Sequence, residues 1–397
     1  MSNHPPVEKL GDLFTFKNGR AFKSTDWKTS GVPIIRIKNL NDPSAPYNHF
    51  QGDYDPAVEV NDGDLLFSWS GTVGSSFGSH LWNRGRGVLN QHIFKVGFKK
   101  RMDARYAFYA LREITAEIEK SVNGAVGLVH ITKSDLNNFE IPVPPLPEQE
   151  RIVGILDEAF AGIATATAHA ERNLQNAREL FQSVLQSTFT PKGPDWVETT
   201  LDQICTIKHG FAFKSEFFTD QGEHVVLTPG NFYESGGYRD RGTKTKYYSG
   251  EIPPDFVLSK GDFLIAMTEQ AVGLLGSSIV VPGSERFLHN QRLGLVQIKD
   301  GAEWDNDFFF HQFNTQAFRS AVQKTASGVK VRHTSPAKLG AIDVCFPRRK
   351  KDQQKVAELL NTLATETRRL EAVYRRKLAA LTELRQSLLH RAFSGQL

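Results

Sequence analysis

The sequence predicts an α/β (α+β) chain built as a tandem duplication, in which a β-rich globular domain followed by a long helix occurs twice and the two helices pair as an antiparallel coiled coil. Three observations carry this expectation. Similar blocks recur in the same order about two hundred residues apart, the segments before the helices mix Phe, Val, Ile and Gly with turn pairs, and two later runs space their apolar residues by threes and fours. A length of 397 residues, 40% hydrophobic and 23% charged, suits two or three compact units.

The repeat begins with Thr15 to Ser24 against Thr206 to Ser215, an offset of 191. Gly63-Asp64-Leu65-Leu66 pairs with Gly261-Asp262-Phe263-Leu264, and Asn90-Gln91 with Asn290-Gln291. Gly124 ahead of His130-Ile131-Thr132 matches Gly328 ahead of His333-Thr334. From Gln149 to Leu156 against Gln353 to Leu360, and Gln182 to Leu185 against Gln386 to Leu389, the offset is 204.

Residues 10–100 and 200–300 read as short strands joined by turns such as Asp62-Gly63 and Ser235-Gly236-Gly237. Asp103 to Lys120 and Asp307 to Lys324 have helical spacing. Ile141 to Pro147 holds four prolines and is expected to leave the globular domain as a stiff, extended segment, because proline lacks the helical donor. Most of the 28 phenylalanines, including Phe308-Phe309-Phe310, are expected in the core.

Beyond that exit the period changes to the 3.5 of a coiled coil. The first stripe is Ile152, Leu156, Ala159, Ile163, Ala166, Ala170, Leu174, Ala177, Phe181, Val184 and Thr188. The second is Val356, Leu360, Leu363, Thr367, Leu370, Tyr374, Leu378, Leu381, Arg385, Leu388 and Ala392. Both contain two successive spacings of four, at 166-170-174 and 370-374-378, which is a shared stutter. Each run is about forty residues, or ~60 Å of helix. The alternative is two separate amphipathic helices, each packed on its own domain. The expected domains are 1–146, a helix over 147–194, a second domain over 195–350 and a helix over 351–397.

Charge is uneven along the chain. Lys and Arg against Asp and Glu number 17 to 15 in 1–146, 4 to 6 in 147–194, 15 to 18 in 195–347 and 12 to 5 in 348–397. A free-standing nucleic-acid binder is usually basic across its binding domain, so any binding of this kind would draw phosphate attraction from a partner. Cys205 and Cys345 cannot build a disulfide framework or a four-cysteine zinc site. No run of apolar residues is long enough to span a membrane and no signal-peptide layout opens the chain, so a cytoplasmic location without membrane contact is expected.

Pro144-Pro145-Leu146-Pro147-Glu148-Gln149-Glu150-Arg151-Ile152-Val153, the two Gly-x-Ala-Phe-Lys-Ser blocks, Val32 to Leu40 and the recurring Asn-Gln resemble the specificity subunit of Type I restriction-modification systems. The resemblance covers essentially the whole chain. Its second junction, Pro347 to Lys355, keeps the Gln but loses most of the prolines. The resemblance implies two target-recognition domains, each reading one half of a bipartite site in double-stranded DNA. It also implies partners: two methyltransferase subunits that modify adenine with S-adenosylmethionine, and restriction subunits in the full complex. Partner docking on the helices would use the basic final helix, with Arg368-Arg369 and Arg375-Arg376-Lys377.

No catalytic pattern belongs to this chain itself. Phenylalanine precedes the lysine in Gly19 to Ser24 and Gly210 to Ser215, so neither is a phosphate loop. Ile252-Pro253-Pro254-Asp255-Phe256 lacks the polar residue and the adjacent aromatic of an adenine methyltransferase. The twelve histidines show no zinc spacing, and no cofactor is expected. His130 and His333 recur as structural hydrogen-bonders. The competing readings are a duplicated protein-interaction scaffold without DNA binding and a cryptic nuclease or methyltransferase.

If the halves read different half-sites, shared positions cannot carry the distinction. Lys17/Lys208, Lys23/Lys214 and Gln91/Gln291 are therefore candidates for phosphate contact or framework, with Arg20, Phe211 and Arg292 beside them. Base readout is expected in loops that differ between halves and carry Arg, Lys, Asn or Gln. In the first domain these hold Arg36, Lys38, Asn39, Asn41, Trp69, Ser70, Thr72, Arg84 and Arg86. In the second they hold Asn231, Tyr233, Arg239, Arg241, Thr268, Glu269, Gln270, Lys330, Arg332 and His333.

Overall fold

A computed structural model of the chain describes residues 5–71, 76–121, 129–190, 194–270, 273–284 and 286–397. The chain divides into two compact units, Met1–Ala170 with Arg376–Leu397, and Glu171–Arg375. Each is described in turn.

In the first unit, strands Phe14–Asn18, Ile93–Phe98, Leu65–Ser68 and Gly78–Leu81 lie side by side in that order as an antiparallel sheet. Phe14 and Phe16 are buried while Thr15 and Lys17 are exposed, the alternation of an edge strand covered on one face. Leu65–Ser68 is buried at every position, as a central strand covered on both faces should be. A second sheet runs Asn48–Phe50, Val32–Ile35, Gly87–Leu89, Glu59–Val60, with Val32–Ile35 parallel to Gly87–Leu89. Helix Ala104–Ser121 covers the first sheet with Tyr106, Ala110, Ile114 and Ile118.

The second unit repeats this plan. Strands Cys205–His209, Leu293–Ile298, Phe263–Ala266 and Ser278–Val280 form the equivalent sheet in the same order. Its companion has five strands, and Val225–Leu227 runs parallel to Phe287–His289 as its counterpart does. Gly19 and Gly210 explain why the repeat keeps glycine there. A Cβ at Gly19 would stand 2.3 Å from the Asn90 carbonyl oxygen, and one at Gly210 would stand 2.1 Å from that of Asn290.

One sequence expectation fails in the second unit. The helix expected over Asp307 to Lys324 is two helices, Asn306–Phe313 and Gln316–Thr325. Asn314 ends the first, and Thr315 caps the second by accepting a hydrogen bond from the Phe318 amide at 3.2 Å, so a new N-terminus replaces the helical turn. Phe308 and Phe309 are fully buried as expected, whereas Phe310 is half-buried.

The exit from each globular domain is fastened by a buried glutamine. Strand Glu140–Pro142 is extended as expected, but the first long helix, Leu146–Thr188, already includes Pro147, which its first turn tolerates. The Gln149 amide donates to the Pro144 carbonyl at 2.9 Å, and its oxygen accepts from the Asp103 amide at 2.9 Å. Gln353, in the second long helix Lys350–Phe393, donates to the Pro347 and Glu303 carbonyls at 3.0 and 3.2 Å. The shared Gln thus does at both junctions what the prolines do at only one.

Within each unit the two long helices pack antiparallel. In the first, Arg385 lies 5.0 Å from the Phe160 ring centre, and Leu388, Leu389 and Ala392 join Ile152 and Leu156 in one core. In the second, Arg178 pairs with Glu371 at 3.2 Å. Every position of the first stripe is buried or half-buried, with Leu156 and Ala170 at 1% exposure or less, while Leu185, outside the stripe, is more buried than its neighbour Val184. The second stripe departs twice. Leu370 is 39% exposed and Arg385 is exposed, while Glu371 turns inward to meet Arg178. Two successive spacings of four rotate the stripe, and Leu370 falls where that rotation leaves the seam.

Replacing Gln149 by Ala should lower stability by about 2–3 kcal/mol, since it leaves a buried donor and a buried acceptor unpaired. Glu150→Ala, at the exposed neighbour, should stay within about 0.5 kcal/mol. Denaturant unfolding of both variants checks the difference.

Candidate nucleic-acid interface

One pair of shared lysines, Lys17 and Lys208, braces the framework. Lys17 pairs with Asp55 at 2.9 Å, and Lys208 donates to the Asp255 carbonyl at 2.8 Å while its ammonium lies 4.7 Å from the Phe256 ring centre. Both reach the same place in the repeat. Lys23 and Lys214 remain exposed, the latter 3.9 Å from Glu216, and Gln91, Gln291 and Arg292 are exposed as well. Arg20 donates to the Asp53 carbonyl at 3.0 Å over the Phe50 ring, and its counterpart Phe211 meets Phe213 edge to face with ring centres 5.1 Å apart.

Next to each first sheet lies a two-stranded antiparallel ladder whose register is the same in both halves. Ser70 pairs with His130 and Gly71 with Val129; Thr268 pairs with His333 and Glu269 with Arg332. The Trp69 amide donates to the His92 carbonyl at 3.3 Å, and the Met267 amide to that of Arg292 at 2.9 Å. The scaffold is thus preserved while the side chains change from Trp69, Gly71 and His92 to Met267, Glu269 and Arg292. In the first half the Trp69 ring lies 5.2 Å from His92 and 6.2 Å from His130, a π-rich face beside exposed Gln91.

In the second half Glu269 holds a loop. Its carboxylate accepts from the amides of Gly273, Leu274 and Leu275 at 3.1, 3.0 and 2.8 Å, from Gln323 at 3.2 Å, and pairs with Arg332 at 3.4 Å. Arg319 clamps the same loop to its neighbour, donating to Leu275 O and Glu234 O at 3.0 Å each, to Asn314 Oδ1 at 3.2 Å and to Gly273 O. Burial pushes its guanidinium down to about 10, still far above neutral, so it stays charged. Between the two loops lies an open cleft of about 550 Å³ lined by Tyr233, Arg239 and Leu274.

The sequence and the fold are similar to those of relatives of known family. The description "Type I restriction modification DNA specificity domain" matches residues 6–173 and again 194–378. The chain belongs to that family. The MjaVIII specificity subunit of Methanocaldococcus jannaschii is 24% identical over 90% of this chain and 85% of its own length. The EcoBI specificity subunit of Escherichia coli is 29% identical over 51% of this chain and 39% of its own. Among solved structures, a chain described in work on complex assembly and conformational transition of the type I R-M system superposes with a TM-score of 0.78 at 17% identity, covering 100% and 99% of the two chains. The HsdS subunit of Thermoanaerobacter tengcongensis does so at 0.61 and 16%, covering 100% and 98%.

Several residues that a specificity domain could use for readout are engaged by the chain itself. Asn39 is fully buried, its oxygen accepting from the Arg36 amide at 3.1 Å and its amide donating to the Ala45 carbonyl at 3.1 Å. Asn231, 2% exposed, does the same for the Thr228 amide at 3.0 Å. Both fasten turns, because a short amide side chain mimics backbone there. Ser70 and Glu269 are also buried. Arg84 donates to the Asn39 carbonyl over the Trp82 ring, and Arg86 pairs with Glu59 at 2.9 Å. Arg36 lies over Trp27 at 5.0 Å and Arg239 5.8 Å from Tyr233, while Arg241 is half-buried. Lys38, Asn41, Tyr233, Arg239, Gln270, Lys330 and His333 are exposed. Thr72 lies outside the described residues.

Sequence reasoning missed Arg319 and Gln323, which contact Leu275 and Glu269, 44 and 54 residues away. One signal was available: Ala317-Phe318-Arg319 matches Ala110-Leu111-Arg112, at an offset of 207 and so three residues out of step with the 204 of the helix that follows. Arg319→Lys keeps the charge but removes the fork that spans several carbonyls. It should destabilise by about 2–3 kcal/mol and speed amide hydrogen exchange in 229–241 and 273–277, while exchange in the sheet strands stays unchanged.

Proposed function

We propose that this chain is the DNA-recognition subunit of a type I restriction-modification complex. Residues 1–146 and 195–350 each read one half of a bipartite double-stranded target. The helices over 147–194 and 351–397 set the separation of the half-sites and carry two methyltransferase subunits, with restriction subunits completing the assembly. The observation that carries this reading is the ladder of identical register and different side chains, since a duplicated reader needs a constant frame and variable contacts. The relatives' names as specificity subunits support it.

The helices support the partner role. Leu180, Leu359 and Leu384 are 59%, 62% and 47% exposed, on helices whose seam stripes are otherwise mostly covered. A subunit docked along the helices would cover these outward apolar residues. Adenine methylation with S-adenosylmethionine and ATP-dependent cleavage fall to the partner subunits, and this chain is not itself an enzyme. The acidic balance of 195–347 agrees with DNA binding that is weak and salt-sensitive until partners add positive charge. Among the described residues no helix is long and apolar enough to cross a membrane, and the complex is assigned to the cytoplasm.

Replacing residues 195–347 by the corresponding segment of another specificity subunit, in the complex with its methyltransferase, should change one half of the methylated sequence and leave the other intact. Mapping methylated adenines in the host genome reads this out. A change in both halves would contradict the assignment of one domain to one half-site.

A further inference from the structure

Between Asp307 and Asp343 the chain carries Arg319, Lys324, Lys330, Arg332 and Lys338 and no Asp or Glu, although 195–347 as a whole is acidic. At the far point of this basic stretch is a small hairpin. Ser327 and His333 exchange backbone hydrogen bonds at 3.0 and 2.9 Å, and the Ser327 hydroxyl lies 3.2 Å from His333 Nε2. Gly328 makes the turn at φ +98°, where a Cβ would stand 2.1 Å from the Val331 carbonyl oxygen, so only glycine fits.

The apex is apolar. Val329 is 98% exposed and Val331 44% exposed, with exposed Lys330 between them. A valine so fully exposed adds nothing to folding through burial. The base of the hairpin is nevertheless held firmly. Arg332 donates to the Gln323 carbonyl at 3.0 Å and pairs with buried Glu269, and the Thr325 and Thr334 hydroxyls lie 2.6 Å apart. The hairpin continues the ladder of Thr268–Glu269 with Arg332–His333, next to exposed Gln270. An apolar tip on a braced two-stranded ribbon, with exposed Lys330 between its two valines, matches a polyanion that also presents an isolated apolar group.

Duplex DNA offers that combination. Its major groove admits a two-stranded ribbon, phosphates line its rims, and the thymine 5-methyl is the apolar feature of the base edges. We propose that hairpin Ser327–His333 enters the major groove of the half-site read by 195–350, with Val329 against a thymine methyl group and Lys330 toward a phosphate. This rests on the DNA-reading function proposed above. The contact makes Val329 a specificity-determining residue, of a residue type that a search for polar readout passes over.

The test uses the complex with its methyltransferase, once the target has been mapped. Each thymine of that half-site is replaced in turn by uracil, which deletes only the methyl, and binding is compared for wild type and Val329→Ala. One uracil position should weaken wild-type binding about fourfold, the effect of ~0.8 kcal/mol for one methyl-sized group. The same replacement should have no further effect in Val329→Ala, and uracil in the other half-site should be neutral for this pair. Thermal unfolding of Val329→Ala should match wild type, because the side chain touches little. The proposal is overturned if every uracil substitution is neutral in wild type, or if the losses persist undiminished in the variant. It is also overturned if Val329→Ala loses the methyltransferase while target readout survives, which would make the apex a protein contact. A wild-type complex without sequence-specific binding would instead overturn the DNA-reading function itself, and the proposal with it.

Discussion

Neither long helix can cover its own apolar stripe, and the rest of the chain is arranged around that requirement. A helix of more than forty residues with a continuous seam needs a partner of matching length and phase. Duplication supplies one. The first stripe is rich in alanine and the second in leucine, so the backbones can approach closely where Ala170 and Ala177 are buried. Each globular domain is then tied to its helix by one buried glutamine, Gln149 or Gln353, and the domain's last strand pairs with its first, Glu140–Pro142 with Val7–Lys9 and Asp343–Pro347 with Trp196–Thr200.

The two halves separate what must stay constant from what can vary. Gly19 and Gly210 stay because a neighbouring carbonyl occupies the space of a Cβ, and Lys17 and Lys208 stay as braces to the Asp55 and Asp255 positions. The ladder register stays as well. What varies is carried on it or beside it: the Trp69 indole and the His92 imidazole in the first half, a buried carboxylate paired with Arg332 in the second. Gly71 shows how strict the difference is. A Cβ there would meet the Ser76 hydroxyl at 2.4 Å, whereas the equivalent Glu269 uses its side chain to organise residues 273–275.

Features with a short period or a close repeat were legible in the sequence. The helices and most of their seam follow from spacing alone, and the seam reading failed only near the stutter and at Arg385. The break at Thr315 was not legible, because a capping threonine inside an amphipathic run looks like an ordinary polar-face residue. The readout candidates were legible as clusters and less so as individuals. Asn39 and Asn231 have the side chain that suits an adenine edge, but the same geometry suits a turn, and local hydrogen bonds claimed both. Arg319 and Glu269 act across more than forty residues or through backbone amides, which no local pattern reports.

The central claim is that the paired helices set the distance between two DNA-reading domains. Inserting one heptad in both helices, after Ala170 and after Tyr374, preserves a 3.5-period seam and lengthens each helix by ~10 Å. At ~3.4 Å per base pair this corresponds to about three base pairs. Mapping methylated adenines made by the double-insertion complex is the most direct measurement. Unchanged half-site sequences separated by a gap about three base pairs longer are the predicted result, and an active complex with the original gap would contradict the account.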